Sequence, residues 1–126
     1  PTNMSIKNKI KKACNKNLKQ EICGFVVFKD GDFDILECEN KSDIPDKEFY
    51  IPSKDFLYAK KNYDLVAVYH SHINSEEKPS DFDEKMSDLV CLPFVIYSHK
   101  TQKFDHHKPE FLDCDLNKFQ KLIENL

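Results

Sequence analysis

A chain of 126 residues and 14.8 kDa is the size of one ordinary domain, expected over residues 1–126, and buries enough of its own surface to fold without disulfide staples. Its 19 basic and 22 acidic residues leave a net charge of −3. That is too acidic and too evenly mixed for a nucleic-acid partner recruited by charge. The longest apolar stretch, Leu89 to Tyr97, is far short of the ~20 residues a membrane span needs.

The elements follow in chain order. Ile6, Ile10, Ala13 and Cys14 fall at helical spacing, which predicts an amphipathic helix over 5–15 with lysines on its other faces. Glu21 to Phe28 is apolar and β-rich and reads as a strand. Asp30-Gly31 is a hairpin turn signal, with a returning strand over 32–39. Residues 40–47 read as a loop and 48–51 as a short extended piece. A helix is expected over 54–61, with Ser53 as its cap. Asp64 to Ser71 is a second buried strand, and 73–79 a polar loop ending at Pro79. A helix over 80–90, a strand over 93–98, an edge strand over 103–108 and a closing helix over 115–125 complete the chain. Strands and helices alternate without a strict βαβ rhythm, which suggests a mixed sheet flanked by helices.

Five cysteines without any Cys-x-x-Cys spacing, and no charged-then-apolar leader, read as reduced, mostly core thiols of a cytoplasmic protein.

The chemistry concentrates in one stretch. His70 and His72 leave the same face of a strand end, with Cα atoms ~7 Å apart, close enough to grip one ion. Asp83 lies in the first turn of the next helix and can close a third bond. Two histidines and a carboxylate, with a fourth position left for water, form the layout of a catalytic zinc site. Glu21 opens an otherwise apolar run, where a carboxylate is costly without a task, and is the candidate proton carrier. Ser80 can donate its hydroxyl to the oxyanion of a tetrahedral intermediate. Ser80-x-x-Asp83 also reads as a helix start with a capping residue and an acid three positions on. The two readings are compatible, because one helix terminus serves both. Glu21 alone reads equally well as a partner for a nearby lysine such as Lys19. His106 and His107 are adjacent, so they face opposite sides of a strand and do not form a ligand pair. His99 reads as a loop residue, Asp81 as a charge suited to the helix dipole, and Cys23 as a packed thiol.

These residues resemble the JAMM, or MPN-plus, metallopeptidases. Glu21-Ile22-Cys23-Gly24 is similar to their acidic Glu-x-x-Gly motif. His70-x-His72, seven residues, Ser80, two residues and Asp83 match their second motif without a gap. The similarity continues through Asn40, Phe49-Tyr50-Ile51-Pro52 and the strand from Asp64, and covers roughly residues 5–100. Pro93 to Ser98 resembles the prokaryotic and phage tail-assembly branch. The resemblance implies an α/β/α sandwich with a curved mixed β-sheet, similar to cytidine deaminases. It implies zinc on His70, His72 and Asp83, Glu21 as general acid/base and Ser80 at the oxyanion. It also implies a peptide or protein substrate, such as a ubiquitin-like protein, phage tail proteins as partners, and a bacterial host cytoplasm if phage-encoded. Many members carry Pro after the second histidine; here it is Ile73. Two other readings stand beside the peptidase: a non-catalytic assembly module on the same fold, and a hydrolytic deaminase, which lacks its Cys-x-x-Cys ligand pair here.

Overall fold

The computed structural model describes residues 4–126. Its five strands form one sheet in the order β2-β1-β3-β4-β5. They are β1 (Cys23–Lys29), β2 (Asp32–Cys38), β3 (Asp64–His72), β4 (Phe94–Ser98) and β5 (Phe104–His107). The helices are α1 (Ile6–Cys14), α2 (Ser53–Asn62), α3 (Asp81–Val90) and α4 (Leu116–Glu124). The β3–β4 pair is parallel and the other three pairs are antiparallel. A parallel pair needs a crossover, and α3 supplies it.

Helices cover both faces. Ile6 and Ile10 of α1 and Phe119 and Leu122 of α4 pack with Val26, Val66 and Val95 on one side. Phe56 and Ala59 of α2 and Met86 and Val90 of α3 pack with Phe25, Val68 and Phe94 on the other. The expected α/β/α sandwich with a mixed sheet is therefore the observed one. The α1 stripe is buried at each of its four apolar positions, and Ser5 caps the helix by accepting the Asn8 N–H. The Asp30-Gly31 turn has φ of 53° and 80°, the left-handed pair that a two-residue hairpin requires.

One irregularity sets which face carries the chemistry. Val26 pairs with Ala67 but Val27 pairs with Leu65, so Val66 is an extra residue in β3. Such a bulge switches the alternation. Beyond it Val68, His70 and His72 share the α2/α3 face, and Cys23 lies directly opposite His70.

Three local expectations change. β1 begins at Cys23, so Glu21 stands just outside the ladder and donates its backbone N–H to Pro45 O at 2.7 Å. α2 is capped at Pro52 with no side-chain bond, and Ser53 is its first helical residue. Pro fixes φ and suits a helix entry. Of the five thiols, all free, Cys14 and Cys23 are buried, whereas Cys38, Cys91 and Cys114 are half-buried.

Gly24 has a steric reason. A Cβ there would collide with Leu36 O and lie 2.7 Å from the Tyr69 ring. Both obstacles are held, one by the β1–β2 ladder and one by the core. Gly24→Ala is expected to cost at least ~3 kcal/mol of stability by overpacking, read as a lower urea midpoint at unchanged slope.

Candidate metal centre

His70 and His72 end the central strand, and Asp83 lies in the first turn of α3. Their side chains are 0%, 7% and 5% exposed. His70 Nε2 lies 3.0 Å from Asp83 Oδ1, and His72 Nε2 lies 3.0 Å from Asp83 Oδ2. One ligand atom from each residue falls within 4.8 Å of the others, the only such group among the described residues.

The helix start orients the carboxylate. Ser80 Oγ accepts the Asp83 N–H at 3.0 Å, and Asp83 Oδ2 accepts the Ser80 N–H at 2.9 Å. This is the capping box read from the sequence. It uses Ser80 Oγ only as an acceptor at this bond, so the hydroxyl proton remains free to donate. Cap and ligand thus coexist on one helix terminus.

The two imidazoles are held differently. His72 Nδ1 lies 2.7 Å from the Glu76 carbonyl. A carbonyl only accepts, so Nδ1 carries the proton and Nε2 is turned toward Asp83. His70 stacks on Phe49 with centroids 4.5 Å apart, and Phe94 meets its edge at 5.7 Å. Neither of its ring nitrogens makes an aligned hydrogen bond, although both are fully buried. The 3.0 Å approach of Nε2 to Asp83 is therefore off the line a hydrogen bond needs. A buried, unpartnered nitrogen facing a carboxylate is costly without a cation between them, and this donor set fits a divalent metal ion.

The charges agree. Burial holds the His70 imidazole below its usual range and so neutral. Burial opposes the charge on Asp83, but the bonds from His72 and the Ser80 N–H outweigh it and hold the carboxyl well below the usual range. A neutral imidazole and an ionised carboxylate are the ligand forms that metal binding requires. Burial lowers His72, but Asp83 and Glu76 outweigh it and raise its proton affinity.

Glu21 sits beside this group. It is 6% exposed, and burial pushes its carboxyl up to about 8, a rise that His72 reduces and Asp83 adds to. Its backbone is tied by Asn40, whose Nδ2 donates to Glu21 O at 2.9 Å and to Glu48 O at 3.0 Å. Asn40 Oδ1 accepts the Tyr50 N–H at 3.1 Å. One amide thus joins the Glu21 strand entry to the 48–50 segment that carries Phe49 over His70. Glu76 escapes the sequence reading, and Asn40 and Phe49 enter it only through the family resemblance, without a role at the site. The chemical hint for Asn40 is its place at the opening of a long irregular stretch, where buried backbone groups need a side-chain partner.

The remaining histidines lie elsewhere. His107 pairs with Asp88 at 3.0 Å and Glu84 at 3.9 Å, and His106 meets the Phe119 ring on the other face. A hollow of about 670 Å³ between α2 and α3, walled by Ile51, Phe56, Leu57, Leu89 and Leu92, touches none of Glu21, His70, His72 or Asp83.

A three-layer α/β/α fold with a His-x-His strand end facing a helix-start aspartate defines a JAB-type domain. Residues 5–114 match the family described as prokaryotic homologs of the JAB domain, and the chain belongs to it. It is similar to the tail tip assembly protein K of Escherichia phage N15, at 32% identity over 79 residues. That match takes in 63% of this chain and 32% of the phage protein, so the chain spans about a third of its relative's length. Among solved structures, protein DSY2949 from Desulfitobacterium hafniense superposes with a TM-score of 0.60 at 19% identity, over 89% of this chain and 93% of that one. The likeness is one of fold. Among the described residues no helix is long and apolar enough to cross a membrane.

Proposed function

We propose that this chain is a zinc-dependent peptidase that hydrolyses a peptide or isopeptide bond. The observation that carries the reading is the buried group of His70, His72 and Asp83, with Glu21 close enough for its proton affinity to respond to two of them. Zinc held by those three ligands supplies Lewis acidity and lowers the pKa of bound water toward ~7. Glu21 Oε takes the proton of the attacking water and returns it to the leaving amine. Burial raises the Glu21 carboxyl above its usual range, toward the neutral pH at which a carboxyl both accepts and returns a proton efficiently. Ser80 Oγ donates to the oxyanion through the proton its cap bond leaves free. Asp83 stays ionised and, with the Glu76 carbonyl, fixes the His72 ring.

A second reading has its own support. The phage relative is named for tail tip assembly, which favours a role in assembly with tail proteins as partners, with or without catalysis. Hydrolysis of a quenched-fluorophore peptide library by zinc-loaded protein, beside Glu21→Gln, separates the two. Cleavage by the native chain alone supports the peptidase. Cleavage by neither moves the non-catalytic assembly module to the front.

A further inference from the structure

We propose that Ser98, supported by Thr101, is a positioning residue for His72 and acts through the backbone of the loop between β3 and α3. The inference rests on reading His72 as a ligand.

The starting point is a loop whose shape is not set by its own residues. Residues 73–79 form no helix or strand, and residue 73 is Ile, which leaves φ free where Pro would fix it. Yet the His72 ring depends on this loop, because its Nδ1–H is held by the Glu76 carbonyl at 2.7 Å. Glu76 itself is exposed, so its own side chain does not bury it in place.

The loop is pinned from the neighbouring strand instead. Ser98 ends β4 and is the cross-strand partner of His72. It is fully buried. Its Oγ donates to Ser75 O at 2.6 Å and accepts the N–H groups of Lys100 at 3.1 Å and Thr101 at 3.2 Å. One hydroxyl therefore ties the turn after β4 to the loop after β3. Thr101 Oγ1 adds a second tie by donating to Glu77 Oε1 at 2.6 Å. The first tie holds the Ser75 carbonyl directly and the second holds the Glu77 carboxylate, so the stretches on either side of Glu76 are both engaged. A third bond, from His99 N–H to His72 O at 2.9 Å, fixes the backbone of His72 to the same turn. The carbonyl that orients the ring is thus clamped on both flanks by groups anchored on β4. Partners one step removed from a ligand commonly change metal affinity 10–100-fold.

The test uses Ser98→Ala, Thr101→Val and the conservative Thr101→Ser in the full chain, each checked for folding by circular dichroism. Two readouts are taken. The first is the His72 Nδ1–H proton resonance of metal-free protein, which stays slow to exchange while the carbonyl holds it. The second is the zinc dissociation constant, by competition with a chromophoric chelator. Ser98→Ala is expected to broaden the proton signal away and to weaken zinc about 10-fold. Thr101→Val should move both readouts in the same direction by less, and Thr101→Ser should restore them. A role confined to folding would lower the melting temperature and leave both unchanged. Folded variants that keep a sharp signal and native zinc affinity overturn the proposal, as does a wild-type chain without a protected Nδ1–H. If Ser98→Ala does not fold, the Thr101 pair decides. If the signal is lost in the variants while no chain binds zinc, the positioning role stands and the peptidase reading falls.

Discussion

Glu21→Gln is expected to cut peptide hydrolysis by 10²–10⁴-fold, the range for removing a general acid/base, while zinc content stays at the native level. Gln keeps the size of the side chain and loses only the proton-carrying carboxylate. The same change should stabilise the metal-free chain at alkaline pH. Burial raises the Glu21 carboxyl from 4.5 to about 8. Its protonated form is thus favoured by folding. Stability is full below pH 4.5, declines as pH rises toward 8, and is lowest above that. Gln carries no charge and escapes the decline. At pH 9 the variant should be more stable than native metal-free protein by up to about 5 kcal/mol, and near pH 4 the two should converge. Urea titrations at the two pH values measure this. A residue that weakens the fold where it is ionised, yet is needed for turnover, is the signature of a site that function retains. An equal alkaline stability for both chains would mean that Glu21 is better solvated than its burial implies.

Asp83→Ala is expected to abolish zinc binding and to lower the melting temperature of the metal-free chain by roughly 6–10 °C, corresponding to about 2 kcal/mol. Half of that is the capping box, worth about 1 kcal/mol. The rest is the loss of the carboxylate that faces both histidines at 3.0 Å. Ser80→Ala separates the parts. It removes the bond to the Asp83 N–H and should cost about 1 kcal/mol while one zinc per chain is kept. Differential scanning calorimetry with and without zinc reads both: added zinc should raise the transition of Ser80→Ala and leave that of Asp83→Ala where it was.

Local patterns in the chain carried much of this architecture. The stripe from Ile6 to Cys14, the Asp30-Gly31 turn and the Ser80-x-x-Asp83 helix start are each set by neighbours within four residues. Such short-range chemistry is readable in order. The spacing of His70 and His72 was also sufficient, because both lie beyond the bulge at Val66 and keep the ordinary alternation. The bulge itself left no trace. β3 is buried on both faces, so its apolar run does not alternate and does not say which residue is extra. Glu21 read as the first residue of a strand because its neighbours are β-formers. What removes it from the ladder is the bond from its N–H to Pro45 O, a contact 24 residues away. Asn40 and Ser98 act in the same long-range way, through single polar groups on distant backbone. Neither has a period or a spacing that a sequence displays. Ser53 shows the opposite error, in which a good capping residue yields to the Pro52 before it.

The account turns on whether the His70–His72–Asp83 group holds a metal. Elemental analysis of the purified chain beside His72→Ala tests this most directly, with both proteins exposed to zinc and desalted. The account predicts one zinc per native chain and none in the variant. A native chain without metal, or a variant that retains it, would contradict the assignment of this site.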